Sequence, residues 1–128
     1  MEFDTKSPIW LQLVEEFSRR ICVGEWQTGA RLPGVRDLAA DLKVNPNTVQ
    51  RALAELDRQG ITYSERTSGR FVTENKDTIS ALRTQQAFAS ADSYISACIG
   101  LGTDTETAKQ LIADRWDEIL SSVSEGTK

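Results

Sequence analysis

Apolar residues recur at helical spacing from the ninth residue onward. Ile9, Leu13, Phe17 and Ile21 fall on one stripe, widened by Trp10, Val14 and Val23. Ser7-Pro8 ahead of them reads as a capping oxygen followed by a proline at the first helical position, and Gly24 reads as the stop. The glycine-rich stretch GEWQTGARLPG then reads as a loop, plugged from below by Trp26 and Leu32. A short helix is predicted from about Val35 to Leu42, with Val35, Leu38, Ala39 and Leu42 facing inward. After a tight turn through Lys43 and Val44, Asn45-Pro46 repeats the cap-plus-proline start. The helix it opens runs to about Gln59, turns Val49, Ala52, Leu53 and Leu56 inward, and is ended by Gly60. Two short amphipathic helices so close together predict a helix-turn-helix.

The period then changes from helical to alternating. Ile61, Tyr63 and Glu65 alternate with Thr62, Ser64 and Arg66, Phe71-Val72-Thr73 forms a second β-prone run, and Thr67-Ser68-Gly69 lies between them as a hairpin tip. Three helices followed by a two-stranded ribbon is the winged-helix order. Beyond residue 75 the helical period returns through Ile79, Leu82, Phe88, Ala91, Ile95, Cys98 and Ile99, and Gly100-Leu101-Gly102 breaks it. Thr103 and Glu106 are spaced as a capping box for a last helix carrying Ala108, Leu111, Ile112, Trp116, Ile119, Leu120 and Val123. The fold class predicted is mainly α with a small β-hairpin: a winged helix-turn-helix over residues 1–75, then a short two-helix C-terminal region over 76–128. Two amphipathic helices cannot enclose so wide a stripe. Exposed apolar surface costs ~25 cal/mol per Å², so pairing with a second copy is expected. Phe88, Ile95, Ile99, Leu111, Ile112, Trp116, Ile119 and Leu120 are the candidate dimerisation residues.

Composition narrows the function. With 39% hydrophobic and 27% charged residues the chain reads as a soluble globular protein. It has no apolar run of the ~18 residues a membrane span needs. The acidic N-terminus lacks the apolar core of a secretory signal, so a cytoplasmic protein with no membrane partner is expected. No histidine, glycine-rich phosphate loop or carboxylate cluster is present, which argues against an enzyme; no catalytic residue, metal ligand or cofactor is assigned. Cys22 and Cys98 are far apart and lie on apolar helix faces, as buried reduced thiols do. Trp10, Trp26 and Trp116 read as core residues.

The net charge of −4 speaks against a uniformly basic coat. Its distribution is uneven. Arg31 to Arg70 carries seven basic and five acidic residues, whereas Lys76 onward carries five basic and eight acidic ones. In a helix-turn-helix the second helix meets base edges with its opening residues. Here these are Asn45, Asn47, Thr48, Gln50 and Arg51. Asn and Gln pair bidentately with adenine and Arg with guanine, while Thr48 and the free N–H groups suit a phosphate. Arg36 opens the preceding helix, and the wing offers Arg66, Ser68, Gly69 and Arg70, so the site assigned from the sequence is a DNA face.

Residues 7–73 resemble the DNA-binding domain of GntR-type transcription regulators. The resemblance rests on PIWLQL, the G-E-W-x-x-G-x-R-L-P loop from Gly24 to Pro33, VRDLA, VNPNTVQRAL and the G-R-F-V wing. The short tail, with Gly102-Thr103-Asp104 opening its last helix, resembles the YtrA-like branch. The resemblance implies a homodimer on a pseudo-palindromic double-stranded operator, commonly a repressor, with contacts at Arg36, Asn47, Thr48, Gln50, Arg66 and Gly69. Three positions depart from the family pattern: Gly34 replaces a capping serine, Lys43 a turn glycine and Thr67 a wing glycine. The alternative is a winged-helix protein-interaction module without DNA. A small-molecule effector of unknown identity is left open.

Overall fold

The computed structural model describes the backbone of residues 1–126 and the side chains of residues 1–124. The last two positions of the expected 76–128 region lie outside the described residues. The element order is α1 (Ile9–Cys22), α2 (Val35–Leu42), α3 (Pro46–Arg58), β1 (Thr62–Glu65), β2 (Gly69–Val72), α4 (Lys76–Leu101) and α5 (Thr105–Gly126). Two compact units divide the chain, Met1–Ala87 and Phe88–Lys128, rather than 1–75 and 76–128. The difference has a packing cause. Ile79 and Leu82, in the opening turns of α4, are buried in the same core as Leu13, Phe17, Leu53 and Leu56.

That core is a three-helix wedge closed by the wing. α1 contributes Leu13, Phe17 and Ile21, but its buried stripe is narrower than the sequence suggests: Ile9 and Val23 are exposed and Trp10 is half-buried. Leu32 is buried, and Trp26 packs its ring 5.2 Å from that of Phe17, so both serve as the plugs the loop requires. The start of α1 differs from expectation. Pro8 occupies the cap position and no side chain caps the helix. The Gln12 amide instead donates to the Ser7 and Asp4 carbonyls and accepts from the Asp4 N–H, tying down the N-terminal segment.

The wing is an antiparallel hairpin in which Thr62 faces Val72, Tyr63 faces Phe71 and Ser64 faces Arg70. Ile61 and Thr62 are both buried, so the expected alternation does not set the inner face. Thr62 tolerates burial because its hydroxyl donates to the Asp57 carboxylate at 2.6 Å. Tyr63 turns outward and stacks on Phe71, with ring centroids 5.6 Å apart. A third backbone segment joins the ribbon: Arg31 bridges Phe71, the Leu32 N–H donates to the Arg70 carbonyl, and the Val72 N–H donates to the Ala30 carbonyl.

In the second unit, the last turns of α4 and all of α5 form a helical hairpin. Gly102, at φ +75°, turns the chain, and the Thr103 N–H donates to the Cys98 carbonyl. Thr103 therefore finishes α4 instead of capping α5. The cap is Asp104, whose carboxylate accepts from the Thr107 N–H at 2.8 Å. A carboxylate is the stronger acceptor at a helix start, and hydrogen bonding from the Thr107 side chain, with its backbone N–H second, holds the Asp104 carboxyl below its ordinary pKa. The Tyr94 hydroxyl donates to the Ala108 carbonyl across the hairpin. Cys98 is buried there, while Cys22 in the first unit is only half-buried. No helix among the described residues is long and apolar enough to cross a membrane.

Candidate nucleic-acid interface

The helix-turn-helix is α2, a turn and α3. Lys43 makes the turn in the left-handed conformation at φ +57°, the position where its side chain costs ~1–2 kcal/mol relative to glycine. The Val44 N–H closes back on the Ala39 carbonyl. Asn45 then caps α3: its side-chain oxygen accepts from the Asn47 N–H at 2.8 Å, and Pro46 follows at the first helical position. That oxygen is spent on the helix, which leaves the Asn45 amide nitrogen as its free donor.

The phase of α3 is fixed by four residues at or below 1% exposure, Val49, Ala52, Leu53 and Leu56. With these inside, Asn47, Gln50 and Arg51 stand exposed on the opposite face, and Thr48 is half-buried at its edge. Arg51 is not free, since its guanidinium lies 4.2 Å above the Trp10 ring. Such a cation–π contact still leaves its N–H edge available. Arg36 is exposed at the start of α2, where Gly34 occupies the cap position and no side chain caps the helix.

On the wing, Arg66 and Ser68 are exposed in the turn and Gly69 adopts φ +112°. Arg70 departs from its expected role. Its guanidinium is held by Asp57 at the end of α3, with the Nη2 to Oδ2 distance at 3.0 Å and Nε near both carboxylate oxygens. The hydroxyls of Thr62 and Ser64 donate to the same carboxylate. Burial pushes the Asp57 carboxyl up, but Arg70 and the two hydroxyls outweigh it and hold it below its ordinary value. Arg70 is thus a strut between wing and helix, and its side chain is only 16% exposed.

Ion pairing sorts the remaining cations. Arg19 and Arg20 pair with Glu16 and Glu25 at the end of α1, and Arg58 pairs with Glu55. Glu16 is held down at about 2 chiefly by its hydrogen bond from Arg19, against the upward push of burial. Among the described residues of the loop before α2, the helix-turn-helix and the wing, Arg31, Arg36, Lys43, Arg51 and Arg66 have no carboxylate partner. Arg31, on the loop before α2, was not among the residues assigned from the sequence. Helix phase could not find it, because it belongs to no helix. The backbone bridge to Phe71 is what carries it to the wing.

The apolar residues assigned to dimerisation are all uncovered in the single chain. Phe88, Ile95, Ile99, Leu111, Ile112, Trp116, Ile119 and Leu120 are each 45–72% exposed. Trp116, expected in a core, stands 65% exposed; a two-helix hairpin has no third layer to cover it. Within this unit a groove of about 570 Å³ is lined by apolar side chains around Trp116, with Tyr94 and Arg115 at its polar margin.

Comparison with known proteins agrees with this geometry. The family described as "Bacterial regulatory proteins, gntR family" matches residues 10–72. An uncharacterized HTH-type transcriptional regulator of Bacillus subtilis, YhcF, is 31% identical over 82% of this chain and 87% of its own length. The HTH-type transcriptional repressor YtrA of the same organism is 36% identical over 58% of this chain and 57% of its own length. A solved GntR family transcriptional regulator from Listeria monocytogenes superposes with a TM-score of 0.80 at 36% identity, covering 88% of this chain and 98% of the other. The DNA-binding domain of AraR, solved in complex with operator ORR3, gives a TM-score of 0.51 at 27% identity over 57% of this chain and 88% of the other. With the family match over residues 10–72 and near full-length likeness to a solved GntR regulator, the chain belongs to the GntR family of bacterial transcription regulators.

Proposed function

We propose that this regulator acts in the cytoplasm as a homodimer on a pseudo-palindromic operator, as a repressor, with α3 in the major groove and the wing on the backbone or minor groove. The observation that carries the reading is the α3 face: a capped helix start exposing Asn47 and Gln50, with Arg51 beside them, above a fully buried opposite side. Asn47 and Gln50 have the donor–acceptor pair that matches adenine in the major groove, and Arg51 suits guanine. Arg36, Thr48, Arg66, Ser68 and Gly69 supply positioning contacts to phosphate and sugar. Asn45 contributes through its amide nitrogen alone, and Arg70 serves by bracing the wing. The repressor assignment is supported by the resemblance to YtrA, and the DNA partner by the operator complex of AraR. No comparison favours an interaction module without DNA.

The homodimer rests on the second unit. Ten large apolar side chains from Phe88 to Val123 stand exposed on it, an arrangement monomeric proteins avoid. A two-fold partner covers such a face with its own copy, and two DNA-binding units then meet two half-sites.

The test begins by selecting bound duplexes from a random-sequence pool. Binding of the selected duplex is then followed across a salt series by gel shift. Phosphate neutralisation predicts a slope of about −0.9 per contact in log K against log salt. Affinity flat from about 50 to 200 mM salt removes the reading. Within it, Gln50→Ala should cost ~1–3 kcal/mol at one base pair and relax preference there. Arg66→Ala should weaken all sequences evenly. If the two variants behave alike, the division between reader and clamp is wrong.

A further inference from the structure

The wing is short of cations once Arg70 is braced by Asp57, and the structure supplies one from elsewhere in the chain. Arg31 lies on the loop before α2, yet its backbone bridges Phe71 in β2. Its neighbours are locked on either side, with the Leu32 N–H on the Arg70 carbonyl and the Val72 N–H on the Ala30 carbonyl. Bridge partners in an antiparallel ladder put their side chains on the same face. The Arg31 side chain accordingly shares the outer face of the wing with Phe71 and runs across Gly69.

That crossing uses the space a glycine leaves. A Cβ at position 69 would stand 2.8 Å from Arg31 Nε and 3.3 Å from Nη2, and the backbone there is at φ +112°. The guanidinium is thus seated beside the wing turn. It is exposed and pairs with no carboxylate among the described residues. A slot of about 270 Å³ opens beside it, bounded by Gly34 and Val35 at the start of α2 and by Ser64, Glu65 and Gly69 on the wing. Arg36 follows directly on the α2 side and Arg66 on the wing side. The slot therefore sits between two elements already assigned to the DNA backbone. Glu65 is its one carboxylate, and it too is exposed and makes no ion pair among the described residues.

We propose that Arg31, seated across Gly69, is a DNA-backbone contact, and that it fills the phosphate-clamping place the sequence suggests for Arg70. The ligand is a phosphodiester oxygen of duplex DNA, which a guanidinium engages through two parallel N–H donors. The proposal rests on the DNA-binding reading above and adds to it a residue from outside the helix-turn-helix and the hairpin. It also gives Gly69 a definite task, which is to leave room for the arginine.

The full chain and the selected duplex provide the test. Arg31→Ala should weaken binding roughly tenfold at low salt, equally for selected and unrelated duplexes. It should also flatten the salt slope by about 0.9 per half-site. Arg31→Lys keeps the charge and should keep the slope. Gly69→Ala displaces the arginine, so its cost should shrink when Arg31 is already alanine. Thermal melting is read alongside: the two Arg31 variants, changed at an exposed side chain, should stay within a degree or two of the parent, whereas Gly69→Ala should melt lower in either Arg31 background because its backbone is at φ +112°.

If the parent binds with a steep slope and Arg31→Ala matches it in affinity and slope, the proposal is overturned while the DNA-binding reading stands. Arg31→Lys with a salt slope as flat as that of Arg31→Ala overturns it too, because a phosphate contact keeps its charge-dependent slope even when the two-donor geometry is lost. An equal cost of Gly69→Ala in both backgrounds removes the link between the two residues. A parent that binds no duplex overturns both readings together.

Discussion

Trp116 offers the sharpest test of the second unit. It is 65% exposed in the single chain and borders the apolar groove of α4 and α5. A tryptophan carries ~250 Å² of buriable surface, so about 160 Å² of it awaits cover. At ~25 cal/mol per Å² that is about 4 kcal/mol per copy when cover is complete. Replacement by alanine leaves neighbours that close in partly, and association repays other costs, so about half of that is expected to register. A two-fold interface counts the change twice, giving about 4 kcal/mol per dimer, or a roughly thousandfold rise in the dimer dissociation constant. Sedimentation velocity over a dilution series reads this directly. The same samples should keep their helical circular dichroism, since the side chain has little to lose in the monomer. Binding to the full operator should weaken as well, because each half-site loses its linkage to the other. A Trp116→Ala dimer that dissociates within threefold of the parent would show that this face is not where the copies meet.

Two further outcomes follow from local geometry. Lys43→Gly removes a left-handed penalty of ~1–2 kcal/mol and gives back ~0.5–1 kcal/mol in unfolded-chain entropy. The first unit should gain about 0.5–1 kcal/mol and melt a few degrees higher; a lower Tm refutes the strain argument. Glu16 has its carboxyl lowered from 4.5 to about 2 by Arg19 and Arg20. The stability it contributes is full above pH 4.5 and is lost as pH falls through about 2. Glu16→Gln should flatten the acid limb of a denaturation profile in that window, and an unchanged limb counts against the pairing.

The helix-turn-helix was legible because local signals coincide there. The Asn45-Pro46 start, the i, i+3, i+4 spacing of Val49, Ala52 and Leu53, and the Gly60 stop all point the same way. The wing was legible as a hairpin but not in its detail. Which face of β1 turns inward depends on Asp57, a carboxylate in the preceding helix that makes a buried Thr62 acceptable. The same long-range contact withdraws Arg70, which as a sequence character looks as basic as Arg66. The outward phase of Arg51 is legible in the spacing of α3, but its stacking on Trp10 joins residues forty-one positions apart in different helices. In the second unit the sequence placed the right residues on the apolar stripe. It misjudged the cap, since Thr103 and Asp104 carry competing oxygens and only the path of the chain after Gly102 decides between them.

An acidic regulator poses an electrostatic question that the two units answer separately. Residues 1–87 carry twelve Lys and Arg against twelve Asp and Glu, so the DNA-binding unit is neutral and the whole net charge of −4 sits in residues 88–128. Neutrality alone would give no attraction to DNA. Local pairing leaves that sum unchanged but sorts the charges by place. Glu16 and Glu25 are bound to Arg19 and Arg20, Glu55 to Arg58, and Asp57 to Arg70. Each of these pairs is a short dipole whose field fades within about a Debye length, ~8–10 Å. The cations without carboxylate partners at the interface, Arg31, Arg36, Lys43, Arg51 and Arg66, keep their full field. Pairing removes equal numbers of each sign, so the unit stays neutral overall, and its pull on DNA comes from where these five cations stand, on the loop before α2, on α2, in the turn, on α3 and on the wing. The consequence is specific: Glu55→Gln frees Arg58 and should raise affinity for every duplex alike, without changing which sequence is preferred.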